Sequence, residues 1–174
     1  MRSAFTAMAL VVGVMTVGHS QSAVDLKLQG QVKQLFPATV GLSPKNVDPP
    51  HYKVYNSNPL ADPDAFIGLV FWTTEVEPLE RGFDGPIKIL VGMDRTGMLT
   101  GIVVGQHHEP YGDFSIEPPR FAAQFVGKSI RDPFTVGVDI DAVSRATITV
   151  TSAARAIRVT ARRIATRLLA PPSK

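Results

Sequence analysis

The rhythm of apolar and polar positions changes several times along the chain, and each change marks an element. From Val24 to Phe36, Leu28, Val32 and Leu35 recur at helical spacing, and Pro37 stops the run, which predicts a first helix. Residues 41–64 are rich in Pro, Asn and Asp and predict loops, with a short strand at Tyr52–Tyr55. Ala65–Trp72 predicts a buried strand, and the glycine inside it predicts a bulge or a close backbone approach. The clearest element is a hairpin. Ile87–Asp94 and Met98–Gln106 flank Asp94-Arg95-Thr96-Gly97, where Asp starts the turn and Gly takes its left-handed position. Arg120–Val126, following Pro118-Pro119, predicts a short helix, and Val136–Ile140 a short strand. The last element is a helix at about Ser152–Leu169, with Ile157, Ala161, Ile164 and Leu168 in one stripe and Pro171-Pro172 beyond its end.

Strands and helices that do not alternate regularly indicate α+β: helices packed on a mostly antiparallel sheet, in a single domain. No internal repeat or low-complexity tract interrupts the pattern. The 174 residues suit one domain, and a 44% hydrophobic content supports a real core. The 14 glycines and 14 prolines favour many turns around a modest sheet over a long bundle.

The first 22 residues read differently from the rest. Arg2 precedes the apolar run Ala4–Val17, short for a membrane span, and Ser20-Gln21-Ser22 offers small residues for cleavage. We expect residues 1–22 to be a signal peptide, a retained membrane anchor being the alternative, and residues 23–174 to be the exported domain, placed in the periplasm. The absence of cysteine excludes disulfides, iron–sulfur clusters, thiolate zinc and c-type haem attachment. Any redox group must therefore be organic, or held by His, Met or carboxylate. Without residues 1–22 the chain carries seventeen basic and fifteen acidic residues. Arg155, Arg158, Arg162, Arg163 and Arg167 fall within the last helix with no acid, so a basic face rides on a mildly acidic body. It is either a docking surface or a solvated helix face. Nucleic acid is not an expected partner, because no aromatic residues interleave with the basic ones.

Two segments carry candidate chemistry. Asp141-Ala142-Val143-Ser144-Arg145-Ala146-Thr147-Ile148-Thr149 is a run of small and hydroxyl residues entering the last helix. Unpaired N–H groups and the macrodipole favour phosphate there, and Arg145 with the hydroxyls of Ser144, Thr147, Thr149 and Thr151 adds donors. Plain N-capping by Thr149 or Thr151 is the competing reading. The second segment is Gln106-His107-His108-Glu109-Pro110. If it stays extended, His107 and His108 point to opposite faces, and His107 with Glu109 alone does not make a metal site.

These segments resemble a known family. Gly82-Phe83-Asp84-Gly85-Pro86-Ile87, Leu90-Val91-Gly92-Met93-Asp94, Gly97 and His107-His108-Glu109-Pro110 look like the FMN-binding domain family. That family includes subunits of the Rnf and Na⁺-pumping quinone reductase complexes and the periplasmic domain of NosR-type regulators of nitrous oxide reduction. Leu35-Phe36-Pro37, Gly68-Leu69-Val70-Phe71 and the His-His-Glu-Pro run resemble the NosR-type branch. Asp141–Thr147 falls on the family's flavinylation motif, Asp-x-x-Ser/Thr-Gly-Ala-Thr, and the likeness spans about residues 24–165.

The resemblance implies an electron-transfer flavoprotein, not a stand-alone enzyme, with no catalytic residues of its own and no metal. FMN would be joined through a phosphoester to Thr147 by a flavin transferase, with Ser144, Arg145 and Ala146 around the attachment. The ring would lie against Phe83, Gly85 and Pro86, with His108, Glu109 and Pro110 lining it. Its redox partner, in the membrane or the periplasm, is unidentified. Arg145 stands where the motif has Gly, a position where φ > 0 costs an arginine but its charge suits phosphate. Covalent and noncovalent attachment both remain open, as does a flavin-free member serving as an assembly module through its arginine face.

Overall fold

The computed structural model describes residues 23–62 and 64–169; the signal read in residues 1–22 and the terminal prolines lie outside them. Helix α1 (Ala23–Leu35) leads into two short strands, β1 (Gly41–Leu42) and β2 (Asn46–Val47), then β3 (Pro50–Tyr55) and β4 (Phe66–Trp72). One turn of helix, α2 (Thr73–Val76), precedes the hairpin β5 (Ile89–Asp94) and β6 (Leu99–Val104). The chain closes with α3 (Gly112–Ser115), α4 (Pro119–Ala123) and the long α5 (Thr147–Leu168). The sheet runs β1-β3-β4-β5-β6, antiparallel throughout, with β2 paired to β3. The α+β architecture expected from the pattern is the one observed.

Strand alternation divides the core between two faces. Leu69, Phe71, Ile89, Val91 and Met93 face α5, where Val150, Ala153, Ile157, Ala161 and Ile164 complete the larger cluster with Phe121, Phe125 and Ile140. Val70 and Leu90 face the other way, against Leu28, Val32, Leu35 and Phe36 of α1 and its end. The sheet is thus a middle layer between two helices. The glycine of β4 serves close approach, as expected: a Cβ on Gly68 would meet the Phe36 ring at 2.7 Å. At the hairpin, Asp94 Oδ1 accepts the N–H groups of Thr96 (2.8 Å) and Met98 (3.0 Å), and Gly97 takes φ +85°.

Three expectations need revision. Val136–Ile140 is not a strand: it is a turn closed by Gly137 N–H to Ile140 O (2.8 Å) with one isolated bridge, bent by Gly137 at φ +82°. The helix expected at Arg120–Val126 is regular only over Pro119–Ala123; its last residues wind into tight turns ending at Gly127, φ +74°. Helix α5 begins at Thr147, five residues before the expected Ser152. Thr147, Ile148, Thr149 and Val150 are β-branched and poor helix formers. Burial of Val150 against the sheet offsets that preference.

Candidate functional site

The early start of α5 makes the site. Ala146 is its N-cap, with no side-chain hydrogen bond over the first turn. Among the described residues the N–H groups of Thr147, Ile148 and Thr149 have no acceptor, the first intrahelical bond being Val150 N–H to Ala146 O at 2.9 Å. The capping expected from Thr149 or Thr151 is not made. Immediately upstream, Arg145 sits at φ +69°, the left-handed region that glycine fills without strain. Its position therefore demands what the family motif's glycine supplies, and the arginine adopts it. Arg145 is exposed and has no ion-pair partner among the described residues.

A cavity of about 270 Å³ opens at this helix start, lined by Phe83, Pro110, Tyr111, Arg145, Ala146, Thr147, Ile148 and Thr149. Chain segments far apart in sequence meet there: Phe83, Pro110, Arg145, Ala146 and Thr147 line one space. Phe83 leaves 65% of its surface exposed at this cavity. Thr147 is exposed, whereas Thr149 is 2% exposed and donates its hydroxyl to Glu109 Oε2.

Other predicted residues stand elsewhere. Glu109 lies behind the cavity, buried, and does not line it. Its carboxylate accepts the N–H groups of Phe83 (3.1 Å) and Asp84 (2.9 Å) as well as the Thr149 hydroxyl. Gly85, at φ +113°, turns the 82–85 loop, whose Gly82 N–H donates to Gly85 O at 2.7 Å; neither it nor Pro86 reaches the lining. Ser144 is exposed beside Arg145 and also outside the lining. His108 lines a second, larger cleft of about 860 Å³, together with His107, Gln34, Val104, Glu117 and Pro119. The two imidazoles share that cleft because β6 ends at Val104 and the His-His segment is not extended strand. His107 is held by Glu117 (Nε2 to Oε1, 3.1 Å), accepts Glu109 N–H at Nδ1 (3.2 Å), and packs where a Cβ on Gly112 would stand. Among the described residues no three His, Asp or Glu side chains group to hold a metal.

Sequence reasoning missed Tyr111 and Ile148 as lining residues and Gly82 as a point of close approach. Tyr111 adjoins the named Pro110 and pairs with the Phe114 ring at 5.4 Å, a signal that an aromatic beside a motif could have given. The arginine face is largely committed within the chain. Arg155 pairs with Glu80 (Nε to Oε1, 2.8 Å) and Arg163 with Glu77 (2.8 Å). Arg158 donates to Pro133 O (3.0 Å), and Arg162 to Ile130 O (2.7 Å) and Asp132 O (2.8 Å).

An uncapped helix start, a guanidinium without an ion-pair partner among the described residues and an exposed threonine around one small cavity offer the chemistry that an anionic, nucleotide-like ligand needs. Residues 82–161 match the family model of the FMN-binding domain, the family that the motifs led us to expect. No curated protein matches the chain. The residues present fit an FMN phosphate: backbone N–H donors, a guanidinium and an exposed aromatic lie within the matched span.

Proposed function

We propose that this chain is an exported electron-transfer flavoprotein whose FMN is joined through its phosphate to Thr147. The observation that carries the reading is Thr147 itself: an exposed hydroxyl at the first position of an uncapped helix, facing a cavity shared with Arg145 and Phe83. Thr149, two residues on, is buried and committed to Glu109, which leaves Thr147 as the threonine available at the cavity. A flavin transferase would form the Thr147 Oγ1–phosphorus bond and break the pyrophosphate bond of FAD. AMP would leave, and the hydroxyl proton would be lost to base. Covalent attachment suits an exported protein, since no pool of free FMN outside the cytoplasm would replace a lost cofactor.

When bound, the flavin supplies reversible electron transfer; the chain's own residues hold and tune it. The N–H groups of Thr147–Thr149 and the Arg145 guanidinium would hold the phosphate oxygens. Phe83, Pro110 and Tyr111 would cover apolar surface of the nucleotide and exclude water. His108, exposed in the larger cleft, is a candidate to face the ring from beyond the His107–Gly112 turn. The export reading rests on residues 1–22, and among the described residues no helix is long and apolar enough to cross a membrane. Co-expression with a flavin transferase tests the proposal. Wild type is expected to show the added mass of FMN and flavin fluorescence that survives denaturing electrophoresis, both abolished in Thr147→Ala. A wild type that stays colourless and also fails to bind added FMN would end the flavin reading.

A further inference from the structure

Glu109, expected from the resemblance to line the flavin ring, is a buried acid whose carboxylate is bonded behind the cavity. We infer that Glu109 is a positioning residue: a clasp that holds the Phe83 loop against the first turn of α5 and so sets the shape of the cavity before a flavin arrives. The inference rests on the flavin reading for what the cavity binds, but not for the clasp itself. Its carboxylate, 6% exposed as a residue, accepts from Phe83 N–H, Asp84 N–H and Thr149 Oγ1–H, groups 26, 25 and 40 residues away. Phe83 and Thr149 both line the cavity, on separate chain segments, and Glu109 is the atom set that touches both. Its own backbone is fixed on either side, by Glu109 N–H to His107 Nδ1 (3.2 Å) and by Gly112 N–H to Glu109 O (3.1 Å).

The residue type follows from the demand. Three donors converge on two oxygens, and no lysine or arginine pairs with the carboxylate among the described residues. A glutamine would turn an amide N–H₂ toward one of those donors; an aspartate would stop one methylene short. Gly82 makes room for the clasp, because a Cβ there would run into the Glu109 carboxylate and come within 2.8 Å of Ile87 Cδ1. A buried carboxylate bonded only by neutral groups is costly unless every oxygen is satisfied, which is why loss of the clasp should release both segments.

The test uses Glu109→Asp, Glu109→Gln and Thr149→Val in the flavin-free protein and after co-expression with a flavin transferase. The first readout is hydrogen exchange at the Phe83 and Asp84 amides, with the Val91 amide of the internal strand β5 as the reference for an intact fold. Glu109→Asp is expected to speed exchange at both amides roughly ten- to a hundredfold with Val91 unchanged, Glu109→Gln less, and Thr149→Val least. The second readout is the fraction of protein carrying the flavin mass, which should fall in the same order, with partial rescue by Gln. Unchanged Phe83 and Asp84 exchange in Glu109→Asp, or in Glu109→Gln should the aspartate variant fail to fold, overturns the clasp. Faster exchange with undiminished flavin loading overturns its link to the cavity. A wild type that takes no flavin sinks the flavin reading, and the exchange data then decide the clasp alone.

Discussion

Two loops in this molecule are pinned by carboxylates in the same manner, and they differ in two respects. Glu109 accepts the consecutive N–H groups of Phe83 and Asp84. Asp139 accepts those of Phe134 (3.1 Å) and Thr135 (2.6 Å). The third donor separates them: the neutral Thr149 hydroxyl for Glu109, the Lys128 ammonium (3.0 Å) for Asp139. All the partners of Asp139 lie within 11 residues of it, while those of Glu109 lie 25 to 40 away. One carboxylate therefore finishes a corner of the chain; the other joins distant segments around a cavity. The corner holds Phe134, at φ +50°, with its ring in the core. It is structural, and its charge is balanced where it stands.

The largest effects that test this contrast are those of the Glu109 and Thr147 variants, which should abolish or reduce flavin loading. Asp139→Asn is next, and it should leave flavin loading alone. It removes one accepting oxygen and the charge beside Lys128, and is expected to cost about 1–3 kcal/mol. Chemical denaturation should read this as a lower midpoint, with the flavin fraction of the folded protein as in wild type. A loss of flavin equal to that of Glu109→Gln would erase the distinction between the loops. The pH dependence follows the same site. Burial pushes the Asp139 carboxyl up, but the Thr135 N–H, the Lys128 ammonium, the Phe134 N–H and the Lys128 charge together hold it below the usual aspartate range. Its stabilising contribution is therefore complete above the unfolded value, about 3.9, and is lost as pH falls through the lowered one. The gap between wild type and Asp139→Asn should narrow below about pH 4.

The same contrast explains what could be read from the sequence. The sheet, the hairpin with its Asp94–Gly97 turn, and both long helices were legible, because period and turn chemistry act over a few residues. Phe83, Pro110, Arg145, Ala146 and Thr147 were legible as one site through the resemblance, not through spacing. The bonds of Glu109 were not legible, because nothing local says that a carboxylate 40 residues before Thr149 meets its hydroxyl. Val136–Ile140 was expected as a strand, while the positive φ of Phe134 and of Gly137, with the Phe134 and Thr135 N–H groups held by Asp139, turns it into a corner. The start of α5 was misjudged for a matching reason. Propensity speaks against Thr147–Val150 as helix, and only packing on the sheet reverses it.

Arg145 offers a smaller and two-sided test. At φ +69° it carries a left-handed strain that glycine does not, so Arg145→Gly should raise stability by about 1 kcal/mol. Over a domain of this size that is roughly 2–4 °C in Tm. The same change removes a guanidinium from the cavity lining. Noncovalent FMN affinity, measured on Thr147→Ala as background, should fall. A gain in stability with no loss of affinity would mean that the arginine only tolerates its position and does nothing for the phosphate.

The weakest effect is expected on the arginine face, and its weakness is informative. Arg155 is half exposed and bonded to Glu80, a pair of a kind that contributes about 0.2–1 kcal/mol and is screened by salt. Arg162 and Arg158 instead clamp the 130–133 carbonyls to α5, next to the corner that Asp139 closes. A double-mutant cycle on Arg155 and Glu80 should therefore return a coupling of about 0.5 kcal/mol at low salt and less at high salt. If the face served mainly to dock a partner, its arginines would gain by being unengaged, and the cycle would return nothing. A measurable coupling instead assigns these charges to holding the 76–80 and 130–133 segments on the helix, whereas Arg145, away from that face, lines the cavity.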